Sequence, residues 1–147
     1  DEKMVAFSDK PLLNTFCAIG TQSDFNGANR KAYATVVSSS LSSIIAEGVI
    51  LSGANEYEGA AVTAASTSYL ILANEINPAG NRDIVFAKMS TGLVPEFTVK
   101  FGAVDIDDRG AAVAELPTGD LLILGTMKLA AEQDKIALIK LRPNGTF

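Results

Sequence analysis

The sequence predicts an all-β fold built from repeated sheets, and three observations carry that prediction. A unit of about 51 residues recurs almost three times along the 147-residue chain. Within each unit the apolar runs are short, rich in Val, Ile, Leu and Ala, and separated by clusters of Gly, Asn, Pro and Ser that punctuate strands rather than helices. One run per unit is apolar at successive positions, as in Leu121 to Leu124, the pattern of a strand buried on both faces.

The repeat is clearest in the second and third units. GAAVTAASTSYLILANE, from Gly59, lies over GAAVAELPTGDLLILGTMK, from Gly110. The leading GAAV recurs at a spacing of 51 and LILAN/LILGT at 52, so one residue is inserted at the intervening turn. RDIVFAKMSTG (82–92) then lies over QDKIALIKLRPNG (133–145), with Asp83 near Asp134 and Lys88 on Lys140. A weaker copy comes first: FCAIGT (16–21) takes the place of YLILAN, and NRKAYATVVSSS (29–40) that of NRDIVFAKMSTG. AEGVILSGANEYEGAAV corresponds to TVKFGAVDIDDRGAAV, which makes Gly53–Ala61 and Ala103–Ala112 equivalent links into an inner strand. The units run approximately 1–58, 59–109 and 110–147 within a single repeat domain.

Each full unit reads as four strands, typified by AAVAEL, DLLILGT, KIALIKL and an outer strand like EFTVKFG (96–102). The small residues of GAAV suit an innermost strand where sheets crowd together, because Ala has poor intrinsic strand propensity and close packing must select it. AAVAEL alone would also permit a helix over 111–116. PTGD (117–120) and PNGT (143–146) are turns in which Gly can take positive φ. MKLAAEQDK (127–135) has helix-forming composition but is short and polar, and is read as a loop between strands. VVSSSLSSII (36–45) reads as a flexible Ser-rich turn joining two strands. Four short antiparallel strands per unit of this length form the blade of a β-propeller.

These residues carry a resemblance. DLLILGTM…DKIALIKLRPNGTF resembles the bacterial delta-sixty repeat and the related seven-bladed-propeller repeat, which pair a DGxIxxxG strand with a later D-apolar-KL-x-P-x-G strand. Gly125, Lys140, Leu141, Pro143 and Gly145 stand where that pattern expects them, while Gly119-Asp120 reverses its Asp-Gly order. FTVKFG is similar to the families' W-x-K-T-x-G-G segment, with Phe97 in place of the tryptophan and the second glycine lost. The resemblance covers most of residues 59–147. It implies a propeller of an exported bacterial envelope or surface protein, and it implies no reaction, because these families share no common activity.

Composition narrows the function. Seventeen acids against twelve bases, with no histidine, give a formal charge of −5, and among the bases only Arg30–Lys31 adjoin. Nucleic acid, which demands clustered Lys and Arg, is not an expected partner. Nor is a membrane-spanning helix expected, since no apolar run approaches the roughly 20 residues it needs. Cys17, the single cysteine, lies in the apolar run TFCAIGT and reads as a buried, inert thiol. The chain opens DEKMVAFS, without a basic start and apolar core and without Met, so earlier removal of a leader stays open.

Asp105, Asp107, Asp108 and Gly110 spell D-x-D-x-x-G, the start of a calcium loop, but Arg109 replaces an oxygen ligand and Leu116 stands where a bidentate Glu belongs. An acidic surface turn into the inner strand is the preferred reading. Without histidine there is no Ser-His-Asp or Cys-His arrangement. Paired carboxylates for glycosidase chemistry are conceivable, yet the acids fall mainly in turns and loops, as solvated surface does. The expectation is a non-enzymatic module with no catalytic residue, metal or cofactor. A glycan-binding or glycan-active module is the alternative, with Tyr33, Tyr57 and Tyr69 as its aromatics. Asn144-Gly-Thr146 is a formal glycosylation sequon for which the turn reading suffices.

Fewer than three complete units do not close a ring, so an open segment is expected, continued by further sequence, a partner or a second copy. Its partners would be a protein or another copy, engaged through open blade edges. EKMVAFS (2–8) matches EFTVKFG at Glu2, Val5 and Phe7, which permits an outer strand; the short 9–14 loop makes the inner strand of the first unit the simpler reading.

Overall fold

The computed structural model describes residues 2–8, 11–103, 106–128 and 133–147, and these contain no helix. Their strands form three antiparallel meanders. The first sheet runs in the order β1 (Glu2–Phe7), β2 (Thr15–Gln22), β3 (Lys31–Ser38), β4 (Ile44–Leu51), and the second β5 (Glu56–Ala64), β6 (Tyr69–Ile76), β7 (Arg82–Met89), β8 (Pro95–Phe101). The third holds β9 (Arg109–Glu115), β10 (Leu121–Lys128) and β11 (Asp134–Leu141). The sheets stack face to face, first on second and second on third, without closing into a ring. This is the expected open segment of three propeller-like blades.

Alternation builds the stack. Along β6, Tyr69 and Ile71 point to the first sheet, where they meet Cys17, Ile19, Ala34 and Val36. Leu70 and Leu72 point the other way, joining Ile84 and Phe86 against Val113, Leu121, Ile123 and Leu141 of the third sheet. Every residue of β6 is buried, which explains a strand apolar on both faces. β10 does not repeat this: Leu121 and Ile123 are buried, but Leu124 is 40% exposed, because the third sheet has a neighbour on one face only.

The inner strands confirm the small-residue reasoning. β9 is a strand, not a helix. A register shift follows Met4 in β1, Gly59 in β5 and Gly110 in β9, so all three sheets carry the same bulge at the same place. β1 pairs with β2 and lies beside β5, as β5 lies beside β9. It is therefore the inner strand of the first sheet, and the outer-strand alternative is excluded. A Cβ on Gly59 would lie 2.7 Å from the carbonyl oxygen of Gly20, and one on Gly110 2.5 Å from Leu72, so close approach demands glycine at both.

Two loop readings change. Met127 and Lys128 belong to β10, where Met127 pairs with Lys135 and Lys128 with Asp134; residues 129–132 lie outside the described residues. The Ser-rich turn is ordered rather than loose: Ser38 Oγ accepts from the amides of Ser42 (3.1 Å) and Ser43 (3.2 Å), and Leu41 sits at φ 57°. Gly119 and Gly145 adopt φ of 83° and 84°, as their turns require. Asn144 Oδ1 accepts from the Thr146 amide at 3.2 Å, which accounts for the sequon residues as a turn.

Candidate functional site

The joints between blades use the same parts twice. The amide of Tyr57 donates to the carbonyl of Arg30 (2.9 Å), and that of Asp108 to the carbonyl of Arg82 (2.7 Å). Gly59 N donates to Thr21 Oγ1 at 3.2 Å and Gly110 N to Asn74 Oδ1 at 2.8 Å. An arginine of each of the first two blades then reaches acids leading into the next. Arg30 holds Glu56 (2.8 Å) and Glu58, and Arg82 holds Glu58 (3.2 Å) and Asp107 (3.5 Å), with Arg109 on Asp107 at 2.7 Å. This ladder runs across all three sheets along one edge of the stack.

The acidic loop is consumed by that ladder. Asp105 lies outside the described residues. Partial burial pushes the Asp107 pKa up, but the guanidiniums of Arg109 and Arg82 outweigh it and hold the carboxyl below its usual range. Asp108 is not a surface residue, being 1% exposed; its Oδ1 accepts from the Lys128 amide at 2.9 Å, and Oδ2 has no hydrogen-bond partner among the described residues. Among those residues no His, Cys, Asp and Glu cluster suits a metal ion.

The tyrosines are not brought together. Tyr69 is fully buried with its hydroxyl 2.8 Å from Thr15 Oγ1. Tyr33 is half-buried at the outward face of the first sheet, in a shallow hollow with Met4, Gly20 and Thr35. Tyr57 donates to Glu75 Oε1 at 3.1 Å. They form no common stacking platform.

Tyr57 does belong to a cluster that sequence reasoning missed. Glu75 is 8% exposed and also takes Asn55 Nδ2 (2.8 Å) and Lys100 Nζ (2.6 Å), while Lys100 bridges to Asp83 at 2.7 Å. Burial raises the Glu75 pKa, and the hydrogen bonds from Lys100, Asn55 and Tyr57 reverse this to a net lowering. Lys100 is held above its usual value, chiefly by Asp83 and then Glu75. The Glu75 and Asp83 carboxylates are both ion-paired to Lys100, an arrangement that ties strands together rather than leaving an acid and a base facing a cleft. The acids are therefore not all solvated surface. Cys17 is fully buried, and burial pushes its thiol up to about 12.

What remains uncovered is the two ends of the stack. On the third sheet Leu124 (40% exposed), Ile136 (86%) and Leu138 (64%) face outward. Their repeat equivalents, Leu72, Ile84 and Phe86, are fully buried beneath the third sheet. The first sheet shows Met4, Phe7, Ile44 and Val49 on its outward face. No protein family, curated protein or solved structure matches this chain.

Proposed function

We propose that this chain is a non-catalytic binding or scaffold module, acting through the uncovered faces and edges of its end blades, within an exported bacterial envelope or surface protein. One observation carries the module reading. At Leu124, Ile136 and Leu138 the outward side of the third sheet repeats the positions of Leu72, Ile84 and Phe86, which are fully buried in the second. Supporting it, Glu56, Glu58 and Asp107 are held in the inter-blade ladder and Glu75 and Asp83 in the Glu75 cluster. Export and bacterial origin rest on the resemblance to the delta-sixty repeats alone. The test is a broad hydrolase screen, glycosides included, on the purified chain. No turnover is expected; an activity abolished by substituting a single carboxylate would overturn the reading.

A further inference from the structure

We propose that the loop 23–30, between β2 and β3, binds a neutral saccharide, with the Phe25 ring as the platform for a sugar's apolar face. The proposal goes beyond the module reading above and does not depend on the end sheets. Phe25 is completely exposed, at 104%. A missing neighbour does not account for this, because the second blade carries the same turn and is covered on both faces. In the first blade the Asp24 amide donates to the Ala28 carbonyl and the Gly27 amide to the Asp24 carbonyl, both at 2.9 Å. In the second the Asn77 amide donates to the Asn81 carbonyl and the Gly80 amide to the Asn77 carbonyl, also at 2.9 Å. Gly27 and Gly80 take φ of 80° and 88°. Phe25 therefore stands where Pro78 stands, and Pro78 is exposed although its blade is covered on both sides.

The fold asks only for a turn here, so the departures of the first blade from the second carry the inference. A proline gives way to an aromatic ring, and one residue, Asn29, is added before the ladder arginine. Asn29 sits at φ 54° and its side-chain amide donates to the Asp24 carboxylate, which braces the loop under the ring. Ser23, Gly27 and Arg30 of the same loop wall a hollow of 410 Å³, whose other side chains include Lys3, Thr21 and Glu58. It offers hydroxyl, guanidinium, ammonium and carboxylate groups and, in Val5, one aliphatic side chain. That combination decides the ligand class. A pyranose with equatorial hydroxyls presents a flat C–H face to an aromatic ring and its hydroxyls to the polar groups around it. A protein partner would want an apolar surround for the ring, and a lipid surface would meet Asp24 and a chain of net charge −5.

The test titrates cellotetraose and chitotetraose, in separate runs, into the whole 147-residue chain and follows its backbone amides by NMR. With at least one of the two sugars, shifts are expected to saturate in the millimolar range and to centre on residues 23–30. Phe25→Ala, at a fully exposed position, should leave the thermal transition in place and weaken binding about ten-fold, while Phe25→Tyr should preserve it. No saturable shift with either sugar would overturn the proposal, as would shifts centred elsewhere or binding that Phe25→Ala leaves unchanged. Sedimentation with phosphatidylglycerol vesicles that is lost in Phe25→Ala, without sugar-induced shifts, would overturn it in favour of a lipid surface. The hydrolase screen reads turnover and this titration reads binding, so the two readings fail separately.

Discussion

Gly59 and Gly110 hold the narrowest points of the joints between blades. At Gly59 an added Cβ meets backbone, the Gly20 carbonyl, whereas at Gly110 it meets the Leu72 side chain, Cδ2 at 2.5 Å and Cγ at 2.7 Å. Backbone cannot step aside, so Gly59→Ala should destabilise by about 1–3 kcal/mol and Gly110→Ala by less, because Leu72 can shift. Urea titration of both variants decides this; equal losses would mean that the joints yield alike. Glu75 gives a second residue-scale prediction. Its folded-state pKa lies below the ordinary value of 4.5, so its contribution is fully present above pH 4.5 and is lost as pH falls through the folded value. The stability gap between the wild-type chain and Glu75→Gln should therefore shrink on acidification below that point. Thermal melts between neutral and strongly acidic pH would show it, and a gap independent of pH would refute it.

At the scale of single strands, repeat-equivalent positions provide an internal control. Leu72 in β6 and Leu124 in β10 occupy the same place in successive blades, yet one is fully buried and the other 40% exposed. Leu72→Ala removes core contacts and should cost about 2–5 kcal/mol, while Leu124→Ala should cost under about 1 kcal/mol. Comparable losses in chemical denaturation would show that something covers the third sheet in solution. The same pair explains what was legible in the sequence. The repeat and the alternation of apolar and small residues announce strands, their order and the inner position of GAAV, because those depend on local pattern. LLIL and LILAN read alike, since a sequence encodes the capacity for burial and not whether a neighbour is there to use it. The Glu75 cluster was hidden for a related reason. Asn55, Tyr57, Glu75, Asp83 and Lys100 come from four strands and a link, and only their pairing puts them together.

Across the whole molecule, stability should follow position in the stack. Each blade rests on its neighbour through an apolar layer, with the arginine ladder along one edge adding little, because side chains 23–33% accessible in Arg30, Glu56, Glu58, Arg82 and Asp107 are screened by solvent. The second sheet shares both layers and each outer sheet only one. In such a one-dimensional array the end units open before the middle, as in other stacked repeats. Amides of β6 and β7 should therefore exchange slowest, with those of β1 and β11 fastest. β1 is exposed along nearly all its length, and in β11 only Leu141 is fully covered. The ends need not match: the first sheet has four strands and carries the fully buried Cys17 and Ile19, so β2 and β3 should outlast β9 and β10. Hydrogen exchange of the unliganded chain, resolved to individual strands, measures this order directly. A single uniform rate across all three sheets would mean that the blades unfold as one unit, and the nearest-neighbour account of this stack would fall.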